Sequence, residues 1–238
     1  MDNIPLQTQI LPSLAVEFSL ADLRAQLLNT PGGERVLEHA RPAFAEMTAD
    51  WSAGGVYRFM KIGRIDAQGV ELVPLEGGDA VRLALGWSGT FLQQAELVVV
   101  GGYTAGREME HHAAAASREQ RYLDSYLIEQ VGLAFLAKTG EAINARIEAV
   151  AGANSWGVGP LLSPGSVHGW ELDDQPNLCA LLPLSAIGLT CTASGVLSPF
   201  NSLTFIIGVG RDYAEKRVGS PCEVCLNRQK CTLRRGKS

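Results

Sequence analysis

The residues best spaced for chemistry lie near the C-terminus, in Cys222-x2-Cys225-x5-Cys231. Thiolates separated by two residues grip one metal ion from a tight turn, and a third sulfur five residues later closes a three-sulfur site for zinc or an iron–sulfur cluster. A fourth ligand would come from Cys191 or Cys179, or the fourth position would stay open; the alternative is a tail with three solvent thiols. Five cysteines are an odd number, which fits reduced thiols better than a disulfide framework and predicts a reducing, cytoplasmic setting.

A second signal is the segment 151–175, which carries Gly152, Gly157, Gly159, Pro160, Pro164, Gly165 and Gly169. Glycine lets a backbone approach a ligand closely, and proline lowers the ordering entropy lost on binding. The segment therefore reads either as a loop for a nucleotide-like ligand or as a plain connector. Its spacing matches neither the GxGxxG dinucleotide fingerprint nor the GxxxxGK[ST] phosphate loop. Without a Ser/His/Asp set, paired carboxylates in the loop or an HExxH motif, no catalytic residue is assigned. Adjacent His111 and His112 would point about 100° apart around a helix, which makes a solvated face of them. His168, in the loop, is the histidine placed for function, and Asp173-Asp174 are expected either to cap the helix that follows or to meet a positive patch on a partner.

These residues need a scaffold, and the chain supplies one in recognisable pieces. Ser19 predicts the N-cap of a short helix through Leu28, and a second helix is expected from Gly33 to about Thr48, with Pro42 interrupting its pattern. Val56 to Ile62, Val70 to Val73 and Val81 to Leu85 are β-rich runs, separated by turn signals at Asp66 to Gly69 and Gly77 to Asp79. They predict an antiparallel meander. Leu97 to Val100 and Leu203 to Val209 read as further buried strands, with two helices or one broken helix between Thr104 and Val150. Leu178 to Leu184 predicts another short helix. Segregated strands and helices without a βαβ rhythm give an α+β class.

Hydrophobic residues make up 46% of the 238, and charged residues 19%, which is enough to fold a core without staples. The longest apolar stretch, Leu178 to Cys191, contains Pro183 and is shorter than the roughly 20 residues that span a bilayer, so no membrane partner is expected. The N-terminus shows no basic and apolar pattern of a secretory signal. The net charge of −5 is uneven: residues 211–238 carry +5 and residues 1–210 carry −10. That asymmetry predicts a domain over 1–210 and a basic, Cys-rich tail over 211–238. An acidic body argues against a nucleic-acid partner.

At the Gly/Pro segment the sequence resembles a known family. Gly159-Pro160-Leu161-Leu162-Ser163-Pro164-Gly165, Gly169-Trp170-Glu171-Leu172, Gln175, Leu181-Leu182-Pro183-Leu184, Ile187-Gly188-Leu189, Thr192-Ala193-Ser194, Pro199, Asn201-Ser202 and Phe205-Ile206-Ile207-Gly208 resemble the stand-alone activation, or reactivation, domain of cobalamin-dependent methionine synthase. The resemblance is strongest over 155–210 and thin before residue 90. It implies a twisted antiparallel sheet with flanking helices and S-adenosylmethionine held beside the loop. It also implies docking on a corrinoid-binding protein or methionine synthase core, whose cobalamin is reduced by a donor such as flavodoxin or ferredoxin and remethylated. Carried over, the ligand loop comprises Leu161, Ser163, Pro164, Gly165, Ser166, His168 and Trp170. Trp170 reads either as a wall that faces the sulfonium through its ring or as a core anchor.

This chain departs from the family's pattern at four places. Leu161 stands where the family has arginine, Ser166 where it has tyrosine, Ala137 where it has a helix glutamate, and Ala193 within its Thr-Glu-Ser. Two functions follow. The first is an accessory that presents S-adenosylmethionine for reductive reactivation of a corrinoid protein. The second is a non-enzymatic redox or docking module that lost that ligand and holds a metal or iron–sulfur cluster through Cys222, Cys225 and Cys231.

Overall fold

The computed structural model describes residues 3–27, 33–47, 51–219 and Val224. Strand β1 (Gln9–Leu11) is followed by helices α1 (Leu20–Leu27) and α2 (Gly33–Met47). Ser19 caps α1: its backbone N–H and hydroxyl donate to Asp22 Oδ2 at 2.8 and 2.6 Å, and the Ser19 hydroxyl accepts from Asp22 N–H at 3.4 Å. Those bonds, led by the hydroxyl, hold the Asp22 carboxyl below its ordinary range. Helix α2 runs through Pro42 over almost the span expected from the sequence. Pro42 is exposed.

The meander follows as β2 (Gly54–Asp66), β3 (Gly69–Pro74) and β4 (Val81–Leu83). Asp66 makes the β2–β3 turn by accepting from the N–H groups of Gln68 and Gly69 at 3.0 and 3.2 Å. Strand β5 (Leu97–Thr104) continues through Gly101 and Gly102, beyond the apolar run that announced it. Gly101 is required there, because a Cβ would sit 2.2 Å from Phe205 Cζ. Helices α3 (Glu108–Arg118) and α4 (Tyr122–Ala153) come next, then β6 (Gly157–Val158), α5 (Gln175–Cys179), the hairpin β7 (Thr190–Cys191) with β8 (Leu197–Ser198), and β9 (Ser202–Gly210). The expected helix over Leu178 to Leu184 is displaced: α5 ends at Cys179, and a single 3-10 turn covers Leu184–Ile187.

All neighbouring strands are antiparallel, in the order β4-β3-β2-β5-β9-β6, with β1 on the free part of β2's edge. Alternate residues of each strand enter opposite cores. Tyr57, Phe59, Val99, Phe205 and Ile207 face the helices α1 to α4, together with Leu127, Val131, Phe135, Ile143 and Ile147 of α4. Val56, Met60, Val98, Val100 and Ile206 face the other way. What covers that second face is the Gly/Pro-rich chain itself: Leu162, Val167, Trp170, Leu178, Leu184 and Leu189 are all buried against it. This chain is thus a third layer, broken by turns at Gly165 and Gly169.

After β9, residues 211–219 pack on the body. Tyr213 is buried and its hydroxyl donates to Phe91 O at 2.6 Å. Val158 N–H donates to Glu215 O at 2.9 Å, Val218 N–H to Glu148 Oε1 at 2.8 Å, and Leu161 N–H to Gly219 O at 3.2 Å. This strap closes the β6 edge of the sheet, which would otherwise be an open row of donors and acceptors.

Candidate functional site

The loop 159–171 is built from the inside. Asp174 is buried, and its carboxylate accepts from Trp170 Nε1–H at 2.7 Å, from Ala84 N–H at 2.7 Å and from Asn177 Nδ2 at 2.8 Å. It does not cap α5 with its side chain, contrary to the expectation. Its three bonds instead tie the loop to the chain leaving β4. Gly165 (φ 74°) and Gly169 (φ 82°) occupy the left-handed region, which accommodates glycine without strain. Gly165 N–H donates to Trp170 O at 2.8 Å and Ser166 N–H to Ser163 O at 3.1 Å, so both amides close the turn.

The seven residues carried over to the ligand loop do not converge. Leu161 is 2% exposed and belongs to the helix-side core, whereas Trp170 is 1% exposed in the opposite core. The two lie on opposite faces of the sheet and cannot wall one pocket. Ser163 and Pro164 are also buried. Gly165, Ser166 and His168 are the members that reach the surface. The His168 ring lies 6.2 Å from that of the exposed Trp87, which packs edge-on against Phe91 at 5.3 Å, and Ser88 Oγ donates to His168 O.

Leu172, which is 45% exposed, joins this tip to a second feature that sequence reading missed. A Cβ on Gly165 would lie 3.7 Å from Leu172 Cβ, and one on Gly195 would lie 2.8 Å from Leu172 O. The loop tip and the turn of the β7–β8 hairpin therefore flank one side chain. Beyond that turn, a groove of about 420 Å³ runs between α5 and β7, lined by Pro176, Cys179, Pro183, Cys191, Thr192 and Ala193. Thr192 and Ala193 belong to the family-like stretches, but nothing local in the sequence shows that α5 would form their opposite wall. Ala137 lies on α4, which packs on the other face of the sheet. Burial, with a contribution from Cys191, pushes the Cys179 thiol up to about 12.

His111 and His112 lie on α3 and are exposed. Cys222, Cys225 and Cys231 lie outside the described residues. Among the described residues, no group of three or more His, Cys, Asp or Glu is placed to hold a metal ion, and no helix is long and apolar enough to cross a membrane.

This arrangement, a curled antiparallel sheet with helices on one face and a turn-rich layer on the other, matches the fold of the MetH reactivation domain. A crystal structure of the MetH reactivation domain bound to AdoHcy superposes with a TM-score of 0.62 at 15% sequence identity, over 87% of this chain and 82% of that one. At that identity the likeness is one of fold. No protein-family model matches the chain, and no curated protein does.

Proposed function

We propose that the protein binds S-adenosylmethionine on the loop-layer face and presents it to a corrinoid protein for reductive reactivation. The observation that carries this reading is the shared fold over 87% of the chain with a domain bound to AdoHcy. The ligand would supply the methyl group, and an external donor the electron that makes the partner's cobalt nucleophilic. This chain's residues bind and orient; they transfer no proton.

The surface offers groups for that task. Gly165, Ser166 and His168 provide the exposed loop tip, and Thr192 and Ala193 the groove beside it. Glu171 and Asp173 are exposed on either side of Leu172 and favour a sulfonium, by about 1 kcal/mol at 4 Å in water. Trp87, Leu172 and Val196 are exposed apolar side chains around the same tip and suit the face that docks on the corrinoid protein. Hydrogen–deuterium exchange with and without S-adenosylhomocysteine tests the placement. Protection is expected over 163–172 and 190–196; protection confined to the helix face would overturn it.

The second reading has one favouring observation. Val224, which stands between Cys222 and Cys225 in the sequence, packs against the same core as the loop layer. On that reading the module holds zinc or an iron–sulfur cluster through the three tail cysteines and acts as a redox or docking partner. Iron and zinc content of anaerobically prepared protein separates the two.

A further inference from the structure

Cys179 and Cys191 sit on different elements, at the end of α5 and in β7, yet both line the groove. The elements that carry them pack on each other, and Cys191 Sγ lies 3.4 Å from Thr192 O at the groove wall. Both are free thiols. Their exposures differ in a useful way: Cys179 is 7% exposed, while Cys191 is partly open to solvent from the groove. The Cys191 side chain is thus the more open of the two to a small reagent.

We propose that Cys191 and Cys179 form a thiol–disulfide exchange site for low-molecular-weight disulfides, with Cys191 as the entering nucleophile and Cys179 as the resolving thiol. The Cys191 thiolate attacks one sulfur of the small disulfide, forming a mixed disulfide and releasing one small thiolate. The Cys179 sulfur then attacks Cys191 Sγ, the mixed bond breaks, and the second small thiol leaves with the Cys179 proton. The protein dithiol is oxidised by two electrons and the small disulfide is reduced to two thiols, so no further oxidant is needed. Burial and the Cys191 sulfur keep the Cys179 thiol protonated at neutral pH, which makes the second step the slower one and faster as pH rises. The bond formed would tie α5 to β7 across the groove. The inference stands on the thiol pair alone, whether or not the groove takes an S-adenosyl ligand.

The full-length protein is incubated anaerobically with glutathione disulfide, alkylated with iodoacetamide and digested with trypsin. Peptide Ile147–Arg211 contains Cys179 and Cys191 and no other cysteine, so the tail thiols do not confuse the result. The expected product has neither cysteine alkylated and no glutathione attached, and regains both alkyl groups after reduction. Cys179→Ala should stop at one glutathione on Cys191, and Cys191→Ala should leave Cys179 reduced. Persistent glutathionylation of Cys191 in the unsubstituted protein, or alkylation of both cysteines at every ratio of glutathione disulfide to glutathione, would overturn the proposal.

Discussion

Asp174→Ala is expected to destabilise the fold by about 2–4 kcal/mol, because it strips the acceptor from the buried Trp170 Nε1–H and from the Ala84 N–H at once. Trp170 Nε1–H and Ala84 N–H each reach Asp174 Oδ2 at 2.7 Å, and the Trp170 donor sits in a core where that residue is 1% exposed. For a chain of this size the thermal midpoint should fall by roughly 10 °C. Asp174→Asn keeps an acceptor oxygen and should cost less. Thermal and urea unfolding of the two variants provide the check. Equal, small losses would mean that the carboxylate is not the tie between loop and sheet. Because Asp174 sets the loop from beneath, the Asn variant should also weaken S-adenosylmethionine binding while the protein remains folded.

Leu161→Arg restores the side chain that the family-like loop has at this position, and it is expected to unfold the protein rather than improve ligand binding. Leu161 lies in the helix-side core under the strap, with its N–H bonded to Gly219 O. Burying an unpaired guanidinium there costs several kcal/mol, on top of the lost leucine packing, so a loss of roughly 4 kcal/mol or more in urea denaturation is expected. An unchanged denaturation midpoint together with tighter S-adenosylmethionine binding would show that the position opens to the ligand. The strap would then be a loose cover and not part of the body.

The strands of the meander were legible because each turn has its own local chemistry, as in the Asp66 carboxylate that accepts from Gln68 and Gly69. The long helix was legible through Leu127, Val131 and Phe135, four residues apart on one buried stripe. What escaped was decided across the sheet. Asp173-Asp174 before a short helix looks like a cap, but the partner that claims Asp174 is Ala84, ninety residues earlier. Leu161 and Leu162 are neighbours in sequence, and the alternation of an extended chain sends them into opposite cores. Leu161 and Trp170 were consequently assigned to one pocket that the sheet divides. The pairing of Cys179 with Cys191 depends on the β7–β8 hairpin folding back on α5, and no short-range signal records that.

The most direct test of the account is calorimetric titration of the anaerobically handled protein with S-adenosylmethionine, using S-adenosylhomocysteine as comparator. The account predicts saturable binding on the order of micromolar, about −8 kcal/mol, with the charged sulfonium bound a few-fold more tightly than the neutral thioether, and with affinity lost when Gly165 is replaced by valine at its left-handed position. No heat of binding with either ligand up to roughly millimolar, about −4 kcal/mol, would contradict it and leave a shared fold without the shared ligand.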